Sequence, residues 1–309
     1  MAAKPSFHDF LVLNRYLLGL FHQKDLAALR DRLHSDDNIG IAEDGQTKFF
    51  HELTARLFHS DEVTADDLRR YDWNIVCHWR QITEKRGNHI EMKYFQYLSL
   101  LFTEIYLDRY FNHKAALQTA LNTQLETFRT KKSPLENTAG YTLDDLSKVA
   151  FWNATGSGKT LLMHVNILQY LHYFSDGTGA RPDNIILLTP NEGLSRQHWA
   201  DFALSGIEAQ LFDKNSGSLL AGVVQIIEIT RLGEKDGDKT VNAAFFEGNN
   251  LILVDEGHRG SSGEVWLKHR QTLARNGFSF EYSATFGQAA GNGKKSTQRE
   301  IFETYAKSI

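Results

Sequence analysis

The fold is decided by the stretch Phe151-Trp152-Asn153-Ala154-Thr155-Gly156-Ser157-Gly158-Lys159-Thr160, which is followed by the helix-patterned segment Leu161–Phe174. An apolar strand, a glycine-bearing loop and a helix, in that order, form the context that a phosphate-binding loop requires. Gly156 and Gly158 let backbone N–H groups turn toward phosphate oxygens, because no Cβ stands in the way. The loop ends at a helix N-terminus, whose unpaired N–H groups and dipole favour an anion.

Side chains of this loop supply further groups for a nucleotide site. Lys159 places a positive charge where the β- and γ-phosphates would lie, and the Thr160 hydroxyl is a ligand for Mg²⁺. We expect Thr155 and Ser157 to contact ATP as well. The strict pattern GxxxxGK[ST] has glycine where this chain has Asn153. The alternative is a glycine-serine turn that happens to precede lysine and threonine.

The sequence around the loop alternates short apolar strands with helices. The predicted strands are Val149–Trp152, Asn184–Leu188, Val223–Ile227, Leu251–Val254 and Phe278–Tyr282. Nearly continuous apolar strands separated by helices indicate a parallel sheet buried on both faces. From Phe7 to about Thr130, by contrast, apolar residues recur three and four apart, as they do in helices. The predicted class is therefore α/β with a mostly parallel sheet, preceded by a helical N-terminal region.

An acidic pair follows the predicted strand Leu251–Val254, in the run Asp255-Glu256-Gly257-His258-Arg259. Open α/β sheets bind ligands at the carboxyl ends of their strands. Asp255 would hold Mg²⁺ there, and Glu256 would be the general base for the water that attacks the γ-phosphate. Taken alone, an acidic pair after a strand is often a solvated loop. Its position about a hundred residues after the phosphate loop favours the hydrolytic role.

Composition excludes several other classes of protein. The chain has 309 residues, and its 41% apolar content is ordinary for a folded protein rather than a disordered one. No apolar run approaches the roughly 18 residues that span a bilayer, and the single cysteine, Cys77, excludes internal disulfides. We therefore expect a cytoplasmic protein without membrane contact. The net charge of −4 argues against a uniformly basic surface for nucleic acid, although it leaves room for a local basic groove.

Four ordered stretches together resemble superfamily-2 helicases and translocases. Ala154–Thr160 resembles motif I, Leu187–Asn191 with Leu194, Gln197 and Trp199 resembles motif Ia, Asp255-Glu256-Gly257-His258 resembles the DExH form of motif II, and Tyr282–Thr285 resembles motif III. Within the superfamily, the chain is most similar to motor (R or Res) subunits of type I and type III restriction enzymes and to related phage-defence helicases. The resemblance implies a RecA-like P-loop NTPase domain, with ATP and Mg²⁺ as cofactors and the DNA backbone as partner.

The same resemblance implies how the chain is divided. Residues 1–90 would form a helical accessory region, and residues 91–309 the first RecA-like domain. Motifs IV to VI of such motors lie in a second RecA-like domain, which we expect to be absent from this sequence. We therefore expect the chain to bind ATP but to hydrolyse it poorly, since an arginine finger is worth on the order of 10³–10⁵ in rate. Methyltransferase, specificity or other defence subunits are the expected protein partners.

Further residue roles follow from the resemblance. Thr189, Pro190, Asn191 and Gln197 of motif Ia would contact phosphates of one DNA strand, which gives affinity without sequence choice. Thr230 and Arg231 would make a second backbone contact. His258 would lie between the nucleotide and motif III, where Ser283 and Thr285 would couple hydrolysis to nucleic-acid binding. The plainer alternatives are a helix cap, a solvated arginine and an exposed loop.

Two signals upstream of the loop have competing interpretations. Lys93-Tyr94-Phe95-Gln96 is similar to a Q-type motif, in which the glutamine amide would grip adenine; a surface glutamine is the alternative. Glu91 and Lys93, with Asp72 upstream, match the acidic pattern of a nuclease, although the flanking residues indicate helices. Two other functions stay open. The chain could be a P-loop NTPase that acts on protein or small molecules, or an interaction module in which the nucleotide is structural.

Overall fold

The computed structural model describes residues 10–57, 62–87, 90–130, 133, 135–178, 181–213, 221–233, 240–255 and 264–284. Helices dominate the part before the sheet, with bounds α1 Val12–Leu20, α2 Leu26–Leu33, α3 Lys48–Leu57, α4 Ala65–Thr83, α5 Tyr94–Asn112 and α6 Lys114–Phe128. The helical pattern before residue 130 therefore corresponds to real helices. Among the helices described, none combines the length and apolar character that crossing a bilayer requires.

The second part of the chain alternates strands and helices. The strands are β1 Lys148–Trp152, β2 Asn184–Thr189, β3 Ala209–Leu211, β4 Val224–Glu228, β5 Leu232–Gly233, β6 Val241–Asn242, β7 Asn250–Asp255 and β8 Phe278–Ser283. Between them lie α7 Lys159–Thr178, α8 Glu192–Leu204 and α9 Glu264–Ala274. Six strands form one sheet in the order β1-β8-β7-β2-β4-β3, and β5 pairs with β6 separately.

Every neighbouring pair in the six-stranded sheet is parallel, which confirms the predicted α/β class. The register aligns the carboxyl ends of three strands. Trp152 of β1 pairs with Ser283 of β8, while Asp255 of β7 pairs with Tyr282 of β8. The loop after β1, the end of β7 and the end of β8 therefore meet at one edge of the sheet, where ligands bind in such folds.

Apolar side chains on the two faces of the sheet belong to two different clusters. Along β2, Ile185 and Leu187 lie in a cluster that runs from α1 to β8, whereas Ile186 and Leu188 lie in a smaller cluster beside α9. This alternation follows because successive side chains of a strand point to opposite faces. The continuous apolar runs recognised in the sequence are thus strands buried on both sides.

Helices from the N-terminal part cover the face with the larger cluster. Both α4 and α5 pack against α7, the helix that follows the glycine loop. The start of α4 is fixed by a capping box, in which the Thr64 hydroxyl accepts from the Asp67 N–H (3.1 Å) and the Asp67 carboxylate accepts from the Thr64 N–H (3.0 Å). The division of the chain near residue 90, between α4 and α5, stays a prediction.

Candidate functional site

The glycine loop joins the end of β1 to the first residue of α7, Lys159. Gly156 and Gly158 have φ values of +79° and +82°, a region that residues with a Cβ rarely adopt. The Asn153 N–H donates to the Ser283 carbonyl (3.1 Å), which ties the loop to β8. The backbone therefore turns as the sequence predicts and leads directly into a helix N-terminus, which provides N–H groups for an anion.

Gln96 contacts the glycine loop from α5. Its Oε1 accepts from the Lys93 N–H (2.9 Å), and its Nε2 donates to the Ser157 carbonyl (3.0 Å). A Cβ added to Gly158 would lie 2.5 Å from this Nε2, so any other residue there would displace the Gln96 amide from the loop. Both ends of the amide thus bond to backbone, and Gln96 holds the loop in place. The adenine contact stays a prediction.

The carboxylate at the end of β7 has a partner that the sequence interpretation did not include. Asp255 Oδ2 lies 2.9 Å from Nε2 of His198 on α8, and the two side chains are 10% and 5% exposed. A carboxylate can only accept, so Nε2 carries the proton. Within the described chain, Nδ1 of His198 has no hydrogen-bond partner. The signal in the sequence was weak: His198 is spaced three residues from Ser195 and four from Phe202, on the inward face of α8.

A second histidine lies behind this pair. His164 of α7 stacks on Phe202 with ring centroids 4.2 Å apart, and its Nδ1 is 2.8 Å from the Ser205 hydroxyl. Arg86, which follows α4, donates to the same hydroxyl (2.7 Å). Burial, with smaller effects from His198 and Arg86, holds the pKa of His164 well below its usual range. Helix α8 is therefore anchored to α7 and to the N-terminal part of the molecule.

The predicted magnesium ligands are of the right chemical type. Thr160 lies in the first turn of α7 and Asp255 ends β7, and hydroxyl and carboxylate oxygens are hard donors that suit Mg²⁺. Among the described residues, no group of three or more His, Cys, Asp or Glu side chains could hold a metal ion on its own. A site of this kind relies instead on one or two protein oxygens together with phosphate and water.

The structure divides the predicted DNA contacts into two kinds. Gln197, Thr230 and Arg231 are exposed. Thr189 is buried, and its hydroxyl is 2.6 Å from that of Ser195. Asn191 and Pro190 lie at the start of α8. The Asn191 side chain caps the helix by accepting from the Leu194 N–H (3.0 Å), and Pro190 is half-buried beside it. Side-chain contact with DNA is therefore open to Gln197, Thr230 and Arg231, and Asn191 is exposed as well, although its side-chain oxygen is engaged in the cap.

Three predicted residues lie outside the described part of the chain, namely Glu256, His258 and Thr285. The general base, the linking histidine and one of the two coupling residues thus stay predictions. Ser283 is described, and it is buried at the end of β8 beside the glycine loop.

A cavity of about 650 Å³ opens beside the glycine loop. Its walls are mostly apolar and come from α1, α2, α5 and β1, with Tyr94 and Phe95 among the lining residues. The Asn153 Nδ2 and Ser157 Oγ atoms are buried without hydrogen-bond partners in the described chain, and both residues line this cavity. An apolar chamber with a few polar groups next to an anion site suits a molecule with an aromatic and an anionic end.

The nuclease alternative finds no support in the surroundings of its residues. Asp72 is buried on α4, where it accepts hydrogen bonds from the N–H (2.8 Å) and the hydroxyl of Thr47. Glu91 and Lys93 lie just before α5, and the described elements on either side of them are helices rather than strands. A nuclease core of that kind needs several strands around its acidic residues, so Asp72 has a structural role.

The fold and the glycine loop define a helicase-like ATP-binding motor domain related to superfamily 2. A family model described as the type III restriction enzyme, res subunit, matches residues 112–288, which is more than half of the chain. The chain belongs to this family. The matched span contains the whole six-stranded sheet and leaves out α1 to α4 and all of α5 except Asn112. A comparison with curated proteins found no match.

Proposed function

We propose that the chain binds MgATP and forms part of an ATP-driven DNA translocase or helicase of a restriction or phage-defence system. The observation that carries the proposal is the meeting of the glycine loop, the α7 N-terminus and Asp255 at one edge of a parallel sheet. Lys159 would hold the β- and γ-phosphates, Thr160 and Asp255 would hold Mg²⁺, and Glu256 would activate water. Ser283 and Thr285 would pass the state of the nucleotide to bound DNA.

We assign the nucleoside end of ATP to the cavity beside the loop. Gln96, the residue predicted to grip adenine, is not among the lining residues and is occupied with the loop backbone. The cavity instead presents aromatic walls, on which a planar base packs well. Residues of α1 and α2, including Asn14 and Arg30, line the cavity. On this proposal the N-terminal helices take part in nucleotide binding.

DNA would be bound through its backbone, by the exposed side chains of Gln197, Thr230 and Arg231 and by N–H groups near α8. The net charge of −4 leaves only local contacts, so binding would be weak and indifferent to sequence. The second candidate function, an NTPase that acts on another kind of partner, differs in one respect. Its turnover would not respond to DNA.

The test compares binding of ATP with binding of inorganic tripolyphosphate, which has no nucleoside. Lys159→Ala should weaken both by about 10–100-fold, because a hydrogen bond to a charged group is worth roughly 1.5–3 kcal/mol. Ala27→Trp, which fills the cavity from α2, should weaken ATP alone. Ala116→Trp, at an exposed position of α6, is the matched control and should change neither.

Two results would contradict the proposal. Equal ATP affinity in wild type and Lys159→Ala would contradict the assignment of the glycine loop as the phosphate site. Unchanged ATP affinity in Ala27→Trp would contradict the assignment of the nucleoside to the cavity. ATP turnover measured with and without duplex DNA then separates the two candidate functions, since only the translocase should be stimulated.

A further inference from the structure

His198 contacts the proposed Mg²⁺ ligand Asp255 from helix α8. Its Nε2–H donates to Asp255 Oδ2 over 2.9 Å, and both side chains are nearly inaccessible to water. Hydrogen bonds to a carboxylate are strong when water is excluded, and they fix the orientation of the group. A ligand carboxylate held in this way keeps a single orientation.

Helix α8 holds the imidazole in place. Asn191 caps the helix, and the Ser195 hydroxyl bonds to that of Thr189 at the end of β2. These contacts fix the first turns of α8 to the same sheet edge that carries Asp255. Behind the ring, Phe202 stacks on His164, so the inward face of the helix is packed along its length. The position of His198 is therefore determined by contacts that do not involve Asp255.

We propose that His198 is a positioning residue for the magnesium site, and that it acts by orienting the carboxylate of Asp255 for the ion. This inference rests on the proposed function, since it takes Asp255 as a Mg²⁺ ligand. Partners that hydrogen-bond to a ligand from outside the coordination sphere orient it, and their loss typically lowers metal affinity or activity by about 10–100-fold. His198 does not touch nucleotide or metal in this proposal.

A purely structural role makes a different prediction. If the pair only fastens α8 to β7, removing it lowers stability and leaves metal binding of the folded protein unchanged. Two conservative variants separate these roles. The amide nitrogen of glutamine reaches about as far from the backbone as imidazole Nε2, whereas that of asparagine reaches only as far as Nδ1. His198→Gln therefore keeps a donor for Asp255, and His198→Asn does not.

The experiment measures Mn²⁺ binding by electron paramagnetic resonance in the presence of a non-hydrolysable ATP analogue. His198→Asn should weaken Mn²⁺ binding by about 10–100-fold, and His198→Gln should restore most of it. Affinity for the analogue in EDTA should be the same in wild type and both variants, because His198 does not contact the phosphates. Thermal unfolding of each variant reports whether it is folded.

Equal Mn²⁺ affinity in wild type and His198→Asn would overturn the inference, and so would equal losses in His198→Asn and His198→Gln. A measurement on the wild-type protein covers the case in which the variants do not fold. The Nε2–H proton of His198 should shift in the NMR spectrum when Mg²⁺ joins the nucleotide complex, and an unchanged signal also overturns the inference. Failure of the proposed function is distinct, because wild-type protein would then bind no nucleotide.

Discussion

The two faces of the main sheet are covered in different ways. On one face, a single cluster draws on helices α1 to α8 and on alternate side chains of the strands, such as Phe280. On the other face, a smaller cluster relies on α9 and on short segments around Phe212 and Phe246. The family model begins at residue 112 and so leaves out α1 to α4 and most of α5, which cover the face with the larger cluster. The sheet thus depends for its core on helices that the family model does not cover.

A buried glutamate on each face extends the comparison. Glu281 of β8 pairs with Arg270 of α9 over 2.8 Å, with side chains 0% and 5% exposed. Glu104 of α5 instead accepts from neutral donors, namely Tyr173 (2.6 Å), Gln169 (2.8 Å) and Asn74 (3.1 Å). Burial raises the pKa of Glu104 to about 7, although these hydrogen bonds oppose the shift. One face thus buries an ion pair, and the other a carboxyl group that is partly protonated near neutral pH.

The largest expected effect comes from neutralising these two glutamates. Glu281→Gln should lower the free energy of unfolding by about 3–5 kcal/mol, because it leaves the buried guanidinium of Arg270 facing a neutral amide. Glu104→Gln should cost at most about 1 kcal/mol at pH 7, because the amide gives up part of the hydrogen bonding but removes a carboxyl group whose ionisation burial opposes. Urea unfolding of both variants measures the difference. Equal losses would mean that the two faces do not differ in this way.

Truncation of one leucine on each face should have the next largest effect. Leu101 of α5 lies in the larger cluster and Leu273 of α9 in the smaller one, and both are fully buried. A buried Leu→Ala change costs about 2–5 kcal/mol, and the cost grows with the cavity that remains. We expect Leu101→Ala near the upper limit, because its helix is enclosed by others, and Leu273→Ala near the lower one.

Urea denaturation also tests whether the N-terminal helices that cover the larger cluster fold together with the sheet. A shared core predicts that Leu101→Ala shifts one cooperative transition. Two separate transitions would mean that the N-terminal helices unfold independently of the sheet. A larger loss of unfolding free energy in Leu273→Ala than in Leu101→Ala would contradict the expectation that the helix-covered face contributes more to stability.

The central strands could be predicted because each of them is a short, nearly continuous run of apolar residues. The segment around Leu251–Val254 is apolar throughout, as strands buried on both faces are, and all five predicted strands were found within one residue or so of their observed bounds. Strands β3, β5 and β6 have only two or three residues each, and most of these are partly exposed. Such short segments have too few residues to show the alternation of buried and exposed side chains that is typical of a strand.

Contacts between distant residues could not be predicted from the sequence. Gln96 bonds to Ser157, which is 61 positions away, and His198 bonds to Asp255, which is 57 positions away. A single glutamine or histidine on a helix gives no sign of its partner, since only the packing of the helices determines which side chains meet. Glu104 likewise resembles any charged residue of a helix until α4 and α7 enclose it.

Measured per pH unit, the smallest expected effect is the pH dependence that Glu104 adds to stability. Its pKa is about 7 in the folded protein and about 4.5 in the unfolded chain. Between these values the folded state keeps a proton that the unfolded state releases, so stability falls as the pH rises from 4.5 to 7 and then levels off. The slope is at most about 1.4 kcal/mol per pH unit. The other groups around Glu104 do not alter this sign, because Tyr173, Asn74 and Gln169 are neutral hydrogen-bond donors and the charge of nearby Asp108 raises the pKa of Glu104 further.

Urea unfolding at intervals from pH 4.5 to 8 measures this dependence in wild type and in Glu104→Gln. The variant has no proton to lose at this position, so the stability of wild type minus that of the variant should decrease as the pH rises from 4.5 to 7 and stay constant above pH 7. Glu281→Gln is the matched control, since it neutralises a glutamate on the opposite face and should keep the contribution of Glu104. Parallel curves for wild type and Glu104→Gln over the whole range would show that Glu104 is charged in the folded protein throughout, and the contrast between the two buried glutamates would then disappear.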